Sequence, residues 1–423
     1  MIQSLPEYHS DRTVTPDDYQ PYIGQEGVDR LKRLADPVRG KSWASLSSTF
    51  QGGGVAEMLQ SVIPLVRSMG IEASWSVIEG PQEFFQVTKK FHNLLQGVAQ
   101  PITLEEIFGE YLATIEANAR RANIAADMII VHDPQPIGLT ASGALFGNVL
   151  WRCHIDTSAP NPTLWRFVLP YINQCAGAIF TQPEFVGAGL NVPVYQIAPC
   201  IDPLVDKNQL YNEREALGTL DPLFTAHGVD PERPILAAIS RYDIHKNQAM
   251  VLEAFGKLRE ERTYPKPPYL IFLGNTAPDD PEGEGMLASL REQAGDDADV
   301  RFWVNVADND RVVGALMHLA RSFIHVPTRE GFGLVVTEAL WQGTPVVGSN
   351  VGGVTRQVVD GETGYVVNPH DVQAIASRMA RVLDDPEAFR HLGKAGAEMI
   401  ERDYSLDVSL PRMLELYERA VSS

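Results

Sequence analysis

"SFIHVPTREGFGLVVTEALWQGTPVVGSN", Ser322 to Asn350, decides the fold. "SFIHVPTR" is a short apolar run closed by a proline, which reads as a buried strand. "EGFG" is a glycine-flanked turn. "LVVTEALWQG" reads as a helix whose first free N–H groups point back at that turn, and "TPVVGSN" as the next buried strand. Two carboxylates interrupt this apolar pattern: Glu330 on the turn and Glu338 eight residues later, about two helical turns inside. At ~1.5 Å rise per residue they stand roughly 12 Å apart, too far for the carboxylate pair of a retaining glycosidase but suited to two parts of one elongated ligand. A carboxylate is a good acceptor for paired hydroxyls. Taken singly, each Glu is equally open to an exposed or capping role.

The same alternation continues on both sides. Upstream, "RPILAAISR", "PPYLIFLGN" and "DVRFWVNV", and downstream "TGYVVNP", read as strands with helices between them. The first half repeats the pattern with "SWASLSST", "IEASWSVIEG", "DMIIVHDPQP", "NVLWRCHID", "AGAIFTQ" and "VPVYQIAP". Between the first two, Val55, Met58, Leu59, Val62, Ile63 and Val66 recur at three- and four-residue intervals, the stripe of a helix packed on a sheet, with Pro64 expected to bend it. A helical tract is expected over 83–124, and a short amphipathic helix at "GVDRLKRLAD" inside a polar lead-in. Strands alternating with helices imply parallel pairing and helices on both faces. At 423 residues the chain exceeds what one core usually supports. The polar, Pro-containing stretch 202–232 reads as the linker between two doubly wound units, and "PDDPEGEG" (278–285) as a solvated acidic loop. Open sheets of this kind bind ligands beyond the C-terminal ends of their strands, so a site is expected in the cleft between the two units.

Composition excludes several classes. A net charge of −19 disfavours nucleic acid or an anionic membrane as partner, though a small phosphorylated ligand stays compatible because surface charge is screened beyond about 10 Å. No run approaches the ~20 apolar residues of a membrane span, and the N-terminus lacks the basic-then-apolar pattern of a secretory leader, which points to the cytoplasm. Three cysteines, Cys153, Cys175 and Cys200, are too few and too far apart for a disulfide framework and read as small core residues.

Four further features can carry chemistry. Gly52, Gly53 and Gly54 follow a strand and open a helix, where backbone N–H groups meet an anion at the positive helix end; a purely structural turn fits them as well. In "SRYDIHK", Arg241 and Lys246 stand just past a strand, where two cations could meet a diphosphate or simply be solvated. His132 and His154 end two further strands and are open to a structural or a functional reading. A metal held by His132, Asp133, His154 and Asp156 lacks any short-spaced ligand pattern, and no nucleophile elbow, kinase set or Walker loop is present.

Together, the glycine loop, the strand-end histidine, "SRYDIHK" and "EGFGLVVTE" resemble the family-four retaining glycosyltransferases of the GT-B fold, over almost the whole chain. "STFQGGGVAEML", "IEGPQEFFQVTKKFHNLLQG" and "WRCHID" resemble, within them, the glycosyltransferring trehalose synthases. The resemblance implies an α/β chain of two Rossmann-like domains. An acceptor-binding one spans 1–205 and recovers a C-terminal helix at about 406–423; a nucleotide-sugar-binding one spans 206–405. It implies reversible, retaining transfer of glucose from a nucleoside-diphosphate glucose, such as UDP-glucose or ADP-glucose, to glucose, giving α,α-trehalose. Transfer to glycerate or glycerol, or a trehalose phosphorylase, is the alternative. Sugar-nucleotide epimerases share the architecture, and a silent binding protein would have lost the set of cations and carboxylates. By this resemblance Arg241 and Lys246 hold the donor diphosphate, with Gly53 and Gly54 approaching from the other domain. Glu330 meets donor-sugar hydroxyls, Glu338 meets the ribose, and the amides of Gly331, Phe332, Gly333 and Leu334 serve sugar and phosphates. His154 lines the sugar near its anomeric carbon, which makes His154, Arg241, Lys246 and Glu330 the catalytic set. Glu79, Lys89, His92 and Asn93, with His132 and Asp133, are the acceptor candidates. No cofactor or metal is required, Mg2+ being at most a stimulant, and a homodimer is expected.

Overall fold

In the first half of the chain, the computed structural model, which describes residues 4–276 and 281–422, forms α1 (Gln20–Ala35), β1 (Ser42–Ser47), α2 (Gly54–Ser68), β2 (Glu72–Val77), α3 (Gln82–Leu95), α4 (Ala113–Ala119), β3 (Ile124–His132), β4 (Leu145–Cys153), α5 (Pro162–Ile172), β5 (Gly177–Phe180) and β6 (Val194–Gln196). The six strands pair in parallel in the order β2-β1-β3-β4-β5-β6. β1, β5 and the second half of β3 are almost wholly buried because helices cover both faces, and β5 and that half of β3 accordingly run apolar instead of alternating. α2 buries Met58, Leu59, Ile63 and Val66 of the expected stripe and runs on through Pro64. The tract expected to be helical over 83–124 is not continuous: α3 stops at Leu95, Gly97 takes φ +82, and a π-helical segment at Glu106–Leu112 leads into α4. Side-chain capping starts α5, where Asn161 Oδ1 accepts the N–H groups of Thr163 (3.0 Å) and Leu164 (3.2 Å).

The second half contributes α6 (Glu213–His227), β7 (Ile235–Ile239), α7 (Gln248–Glu261), β8 (Tyr269–Gly274), α8 (Pro281–Ala294), β9 (Val300–Val304), α9 (Asn309–Leu319), β10 (Ser322–His325), α10 (Leu334–Trp341), β11 (Val346–Ser349), α11 (Val354–Gln357), β12 (Gly364–Val367), α12 (Val372–Asp384) and α13 (Pro386–Tyr404). Its six strands are again parallel, in the order β12-β11-β10-β7-β8-β9. Two expectations fail here. The stretch 202–232 is not an irregular linker, since it carries α6, started by a capping box in which Asn212 Oδ1 accepts the Glu215 N–H (3.0 Å) and Glu215 Oε2 accepts the Asn212 N–H (3.1 Å). Of the acidic stretch 278–285, residues 278–280 lie outside the described residues and the rest opens α8.

Contacts divide the chain into two compact units. One runs to Cys200 and resumes at Leu406; the other is Ile201–Ser405. The final helix, α14 (Leu406–Ser422), therefore belongs to the first unit: Tyr417 packs edge-on against Trp43 of β1 at 5.7 Å, and Asn148 of β4 donates to the Ala420 carbonyl at 2.6 Å. Cys153 and Cys175 are buried free thiols, and Cys200 is half-buried.

In each sheet the chain reverses its direction of growth once. In the first, β2 is laid on one side of β1 and β3 on the other. In the second, β8 and β9 extend from one side of β7 and β10 from the other. A doubly wound sheet opens a crevice at such a switch point, beyond the strands' C-terminal ends. The loops there follow β1 and β3 in one unit, and β7 and β10 in the other.

Candidate functional site

In the second unit, the loop after β7 is fixed residue by residue. The Asp243 carboxylate accepts the His245 N–H (2.8 Å) to start a 3-10 turn at Ile244–Lys246. Asn247 then takes a left-handed conformation, φ +58, and its amide donates to the carbonyls of Val326 (3.0 Å) and Pro369 (2.8 Å). Thr328 N–H donates to the His245 carbonyl (2.8 Å). The loops after β7 and β10 are thereby stitched together, and Lys246 is delivered to Glu330: Nζ stands 2.7 Å from Oε2. His325, the last residue of β10, stacks on Phe323 and places Nε2 at 2.9 Å from the same Oε2.

Burial pushes the Glu330 carboxyl up, but the Lys246 ammonium and the His325 hydrogen bond outweigh it and hold the group well below the usual carboxylate range. Burial also lowers the His325 pKa, against the pull of Glu330. A neutral His325 donating through Nε2–H satisfies both, leaving a formal pair of Lys246 and Glu330. Both donors sit on Oε2; Oε1 takes none from the described residues.

The turn that follows is shaped by two glycines after β11. A Cβ at Gly352, φ +46, would lie 1.8 Å from the Glu330 carbonyl oxygen, and one at Gly353 would lie 2.4 Å from Phe332 Cα. Gly353 N–H donates to that Glu330 carbonyl (3.2 Å), and the Gln357 amide donates to the Phe332 carbonyl (2.7 Å) while accepting the Thr337 hydroxyl (2.6 Å). With these carbonyls held, and Gly333 at φ +83 capping α10, the N–H groups of Gly331, Phe332, Gly333 and Leu334 meet no acceptor among the described residues. They form an amide-lined helix start, the arrangement that receives an anion. Arg241, on the β7 loop, is exposed; its carbonyl is held by the Gln248 amide (2.8 Å) and its guanidinium is not part of the Glu330 cluster. Glu338 is 5 % exposed and pairs with Lys207, Nζ to Oε1 2.7 Å.

In the first unit, Gly52 and Gly53 take φ +74 and +93 before α2, a conformation that excludes other residues by backbone strain alone, since a Cβ at either would meet nothing within 4 Å. At the ends of β3 and β4, His132 Nδ1 and His154 Nε2 lie 3.0 Å apart, and Asp133, φ +65, accepts the His154 N–H through Oδ1 (2.8 Å). Burial, then the positive field of Arg152, lowers the His132 pKa well below its usual value; His154 follows for the same reasons. Both rings are neutral. The Asp133 carboxyl is pushed up to about 7 by burial, against the pull of the His154 amide and Arg152. Arg152, 5 % exposed, donates to the Ile197 carbonyl (3.4 Å) and Met413 Sδ (3.9 Å), and burial lowers its pKa to about 10.

The remaining sequence candidates are dispersed. Glu79 follows β2 and pairs with Arg121 (2.5 Å). Lys89, His92 and Asn93 share one half-buried face of α3 by their three- and four-residue spacing. His132, expected among the acceptor contacts, is 2 % exposed and spends Nδ1 on His154. Asp156 Oδ1 accepts the Ser158 N–H (2.9 Å), and no group of three or more metal-ligating side chains occurs among the described residues. Sequence reading missed His325, Lys207, Gln357 and the Gly352–Gly353 pair. His325 stood in the quoted strand, and the double glycine after a strand was a visible signal; Lys207 had none, because its stretch read as linker.

Residues 45–187 match the family described as trehalose synthase, N-terminal domain, and residues 221–399 match glycosyl transferases group 1. A trehalose synthase of Pyrococcus horikoshii is 37% identical over 98% of this chain and 99% of its own length. One of Rubrobacter xylanophilus is 36% identical over 92% of each. Among solved structures, the α,α-trehalose 6-phosphate synthase of Burkholderia multivorans matches with a TM-score of 0.73 at 14% identity, over 90% of this chain and 99% of that one; it bears on the fold, which is GT-B.

Proposed function

We propose, for a chain that belongs to the trehalose synthase family of group 1 glycosyltransferases, that the reaction is retaining transfer of glucose from a nucleoside-diphosphate glucose to free glucose, giving α,α-trehalose, and that it is reversible. The observation that carries this reading is Glu330: a buried carboxylate whose Oε2 is committed to Lys246 and His325 while, among the described residues, Oε1 takes no donor and the neighbouring amides meet no acceptor. Oε1 suits the hydroxyls of a sugar, and the amides and Lys246 suit its diphosphate. A carboxylate so strongly paired is a poor nucleophile and a good hydrogen-bond acceptor, which fits transfer without a covalent glycosyl-Glu330 intermediate.

Each group answers a change of charge along the reaction. As the glycosidic bond stretches, the diphosphate gains negative charge, and Lys246, Arg241 and the amides of Gly331 to Leu334 stabilise it by preorganised electrostatics; no proton need move to create that field. Glu330 fixes the sugar through its hydroxyls, and Glu338 takes the ribose. In the first unit, Gly53 and Gly54 offer amides at the start of α2, and neutral His154 lines the sugar near its anomeric carbon. The acceptor hydroxyl approaches on the face from which the diphosphate leaves. Glu79, Lys89, His92, Asn93, His132 and Asp133 are the candidates for holding it.

The test is to incubate the protein with UDP-glucose and ADP-glucose in turn, against glucose, glycerol, glycerate and orthophosphate-plus-trehalose. Trehalose from glucose is expected. Products only from glycerol or glycerate would replace the acceptor and keep the transferase. Glucose 1-phosphate from trehalose and orthophosphate, with no use of either nucleotide donor, would replace the reaction with phosphorolysis.

A further inference from the structure

Glu338 sits on the buried side of α10, between Val336, Thr337, Ala339 and Leu340, all buried. A carboxylate alone in such surroundings takes up a proton and ceases to be a strong acceptor. The opposite charge beside it is Lys207, whose ammonium stands 2.7 Å from Oε1, with side-chain exposures of 12% and 7% for the two partners. Lys207 lies far away in sequence, in the stretch whose composition reads as a linker, so its placement needs its own explanation.

That explanation lies on the same helix. Trp341 Nε1–H donates to the Asn208 carbonyl (2.7 Å), and the Gln342 amide donates to the carbonyls of Gln209 (2.7 Å) and Lys207 (3.4 Å). Trp341 and Gln342 follow Glu338 by three and four residues, so all three share one face of the helix end. On the other side, Asn208 Nδ2 ties back to the Asp202 carbonyl (2.8 Å), and α9 approaches so closely that a Cβ at Gly314 would lie 2.5 Å from the Lys207 carbonyl oxygen. A segment with only a 3-10 turn is thus gripped by the helix that carries the carboxylate it must neutralise.

We propose that Lys207 is a positioning residue for the nucleoside: it holds Glu338 ionised and in one rotamer, with Trp341 and Gln342 fixing the backbone of Lys207, and it does not itself touch the transferred sugar. This rests on the reading that Glu338 receives the ribose. The proposal sets donor affinity and leaves the chemical step alone.

The full-length Lys207→Met, Lys207→Arg, Trp341→Phe and Glu338→Ala variants are compared by KM and kcat for the nucleoside-diphosphate glucose and by calorimetric binding of UDP and ADP. Lys207→Met should raise KM by about 10- to 100-fold with kcat at saturating donor changed by only a few-fold. The rise should steepen as pH falls from 8 to 6, because the buried carboxyl deprived of the ammonium regains a proton more readily, and Lys207→Arg should recover most of it. Trp341→Phe, which removes the indole N–H donor and keeps a smaller aromatic ring, should raise KM in the same direction by a smaller factor, and decides the matter if Lys207→Met does not fold. Wild-type KM at every pH in a folded Lys207→Met, or in Trp341→Phe where the former fails to fold, would overturn the proposal. So would a loss confined to kcat. If Glu338→Ala weakens nucleoside binding and the Lys207 and Trp341 variants do not, the Lys207 inference fails alone; if Glu338→Ala binds both nucleotides normally, the ribose reading fails and takes the inference with it.

Discussion

Glu330 and Asp133 are two buried carboxyls pushed in opposite directions, and the difference is their partners. Glu330 has a cation and a histidine donor on one oxygen; Asp133 has an amide donor and Arg152 only as a distant field. The depressed Glu330 pKa means that the unfolded chain binds the proton more readily. Its contribution is therefore present above the ordinary glutamate range near ~4.3 and lost as pH falls below it. Removing the cation with Lys246→Met should cost about 3–5 kcal/mol in chemical denaturation at pH 7 and abolish most activity, because the carboxylate is then buried without its charge partner. Asp133 works the other way: its folded pKa is raised to about 7, so stability falls as pH rises from ~4 towards 7. Asp133→Asn keeps an acceptor for the His154 N–H and tolerates φ +65. It should stabilise the fold by up to about 4 kcal/mol at pH 8 and by far less at pH 5, read from urea unfolding at the two pH values. An equal effect at both would mean that the buried carboxyl does not titrate in this range. In the sequence, Glu330, Lys246 and His154 could be recognised by position, since each follows an apolar strand. The partner groups could not, because His325 reaches Glu330, and Lys207 reaches Glu338, through tertiary contacts without a periodic signal.

Glycines discriminate between two kinds of constraint at the level of elements. Gly52 is strained by φ alone, whereas Gly352 combines φ +46 with backbone 1.8 Å from where a Cβ would stand. Gly52→Ala should cost about 1–2 kcal/mol. Gly352→Ala should cost more than about 3 kcal/mol and, if folded, raise donor KM, because the turn after Glu330 must move. Thermal unfolding and donor kinetics on the two variants check the contrast; equal costs would contradict it. Strands and helix starts were legible because buried parallel strands run apolar for four to six residues between turn residues. Two elements were misread for identifiable reasons. The helix over 213–227 was hidden by its polar, charged surface, although "NERE" carries the Asn–Glu spacing of a capping box. The tract 83–124 looked continuous because its apolar residues kept helical spacing across Gly97 and Pro101, the two residues that interrupt it.

At the scale of the whole molecule, the chain leaves its first unit at Cys200 and returns at Leu406. Leu406, Leu410, Met413, Leu414, Leu416 and Tyr417 of α14 are buried, so a chain truncated before Leu406 should lose the cooperative unfolding of the first unit; retention of its circular dichroism transition would contradict this. Each sheet reverses once, and polar groups follow the strands at each reversal: His132 and Asp133 after β3, with His154 of the neighbouring β4 beside them, in one unit, and Lys246, Glu330 and the α10 start in the other. The most direct measurement is NMR of the product formed from unlabelled UDP-glucose or ADP-glucose and [1-13C]glucose. The account predicts an α,α-1,1-linked disaccharide with one labelled ring, its formation lost in Lys246→Met and Glu330→Ala. Free glucose and nucleoside diphosphate with no labelled disaccharide, or an anomeric signal of inverted configuration, would contradict it.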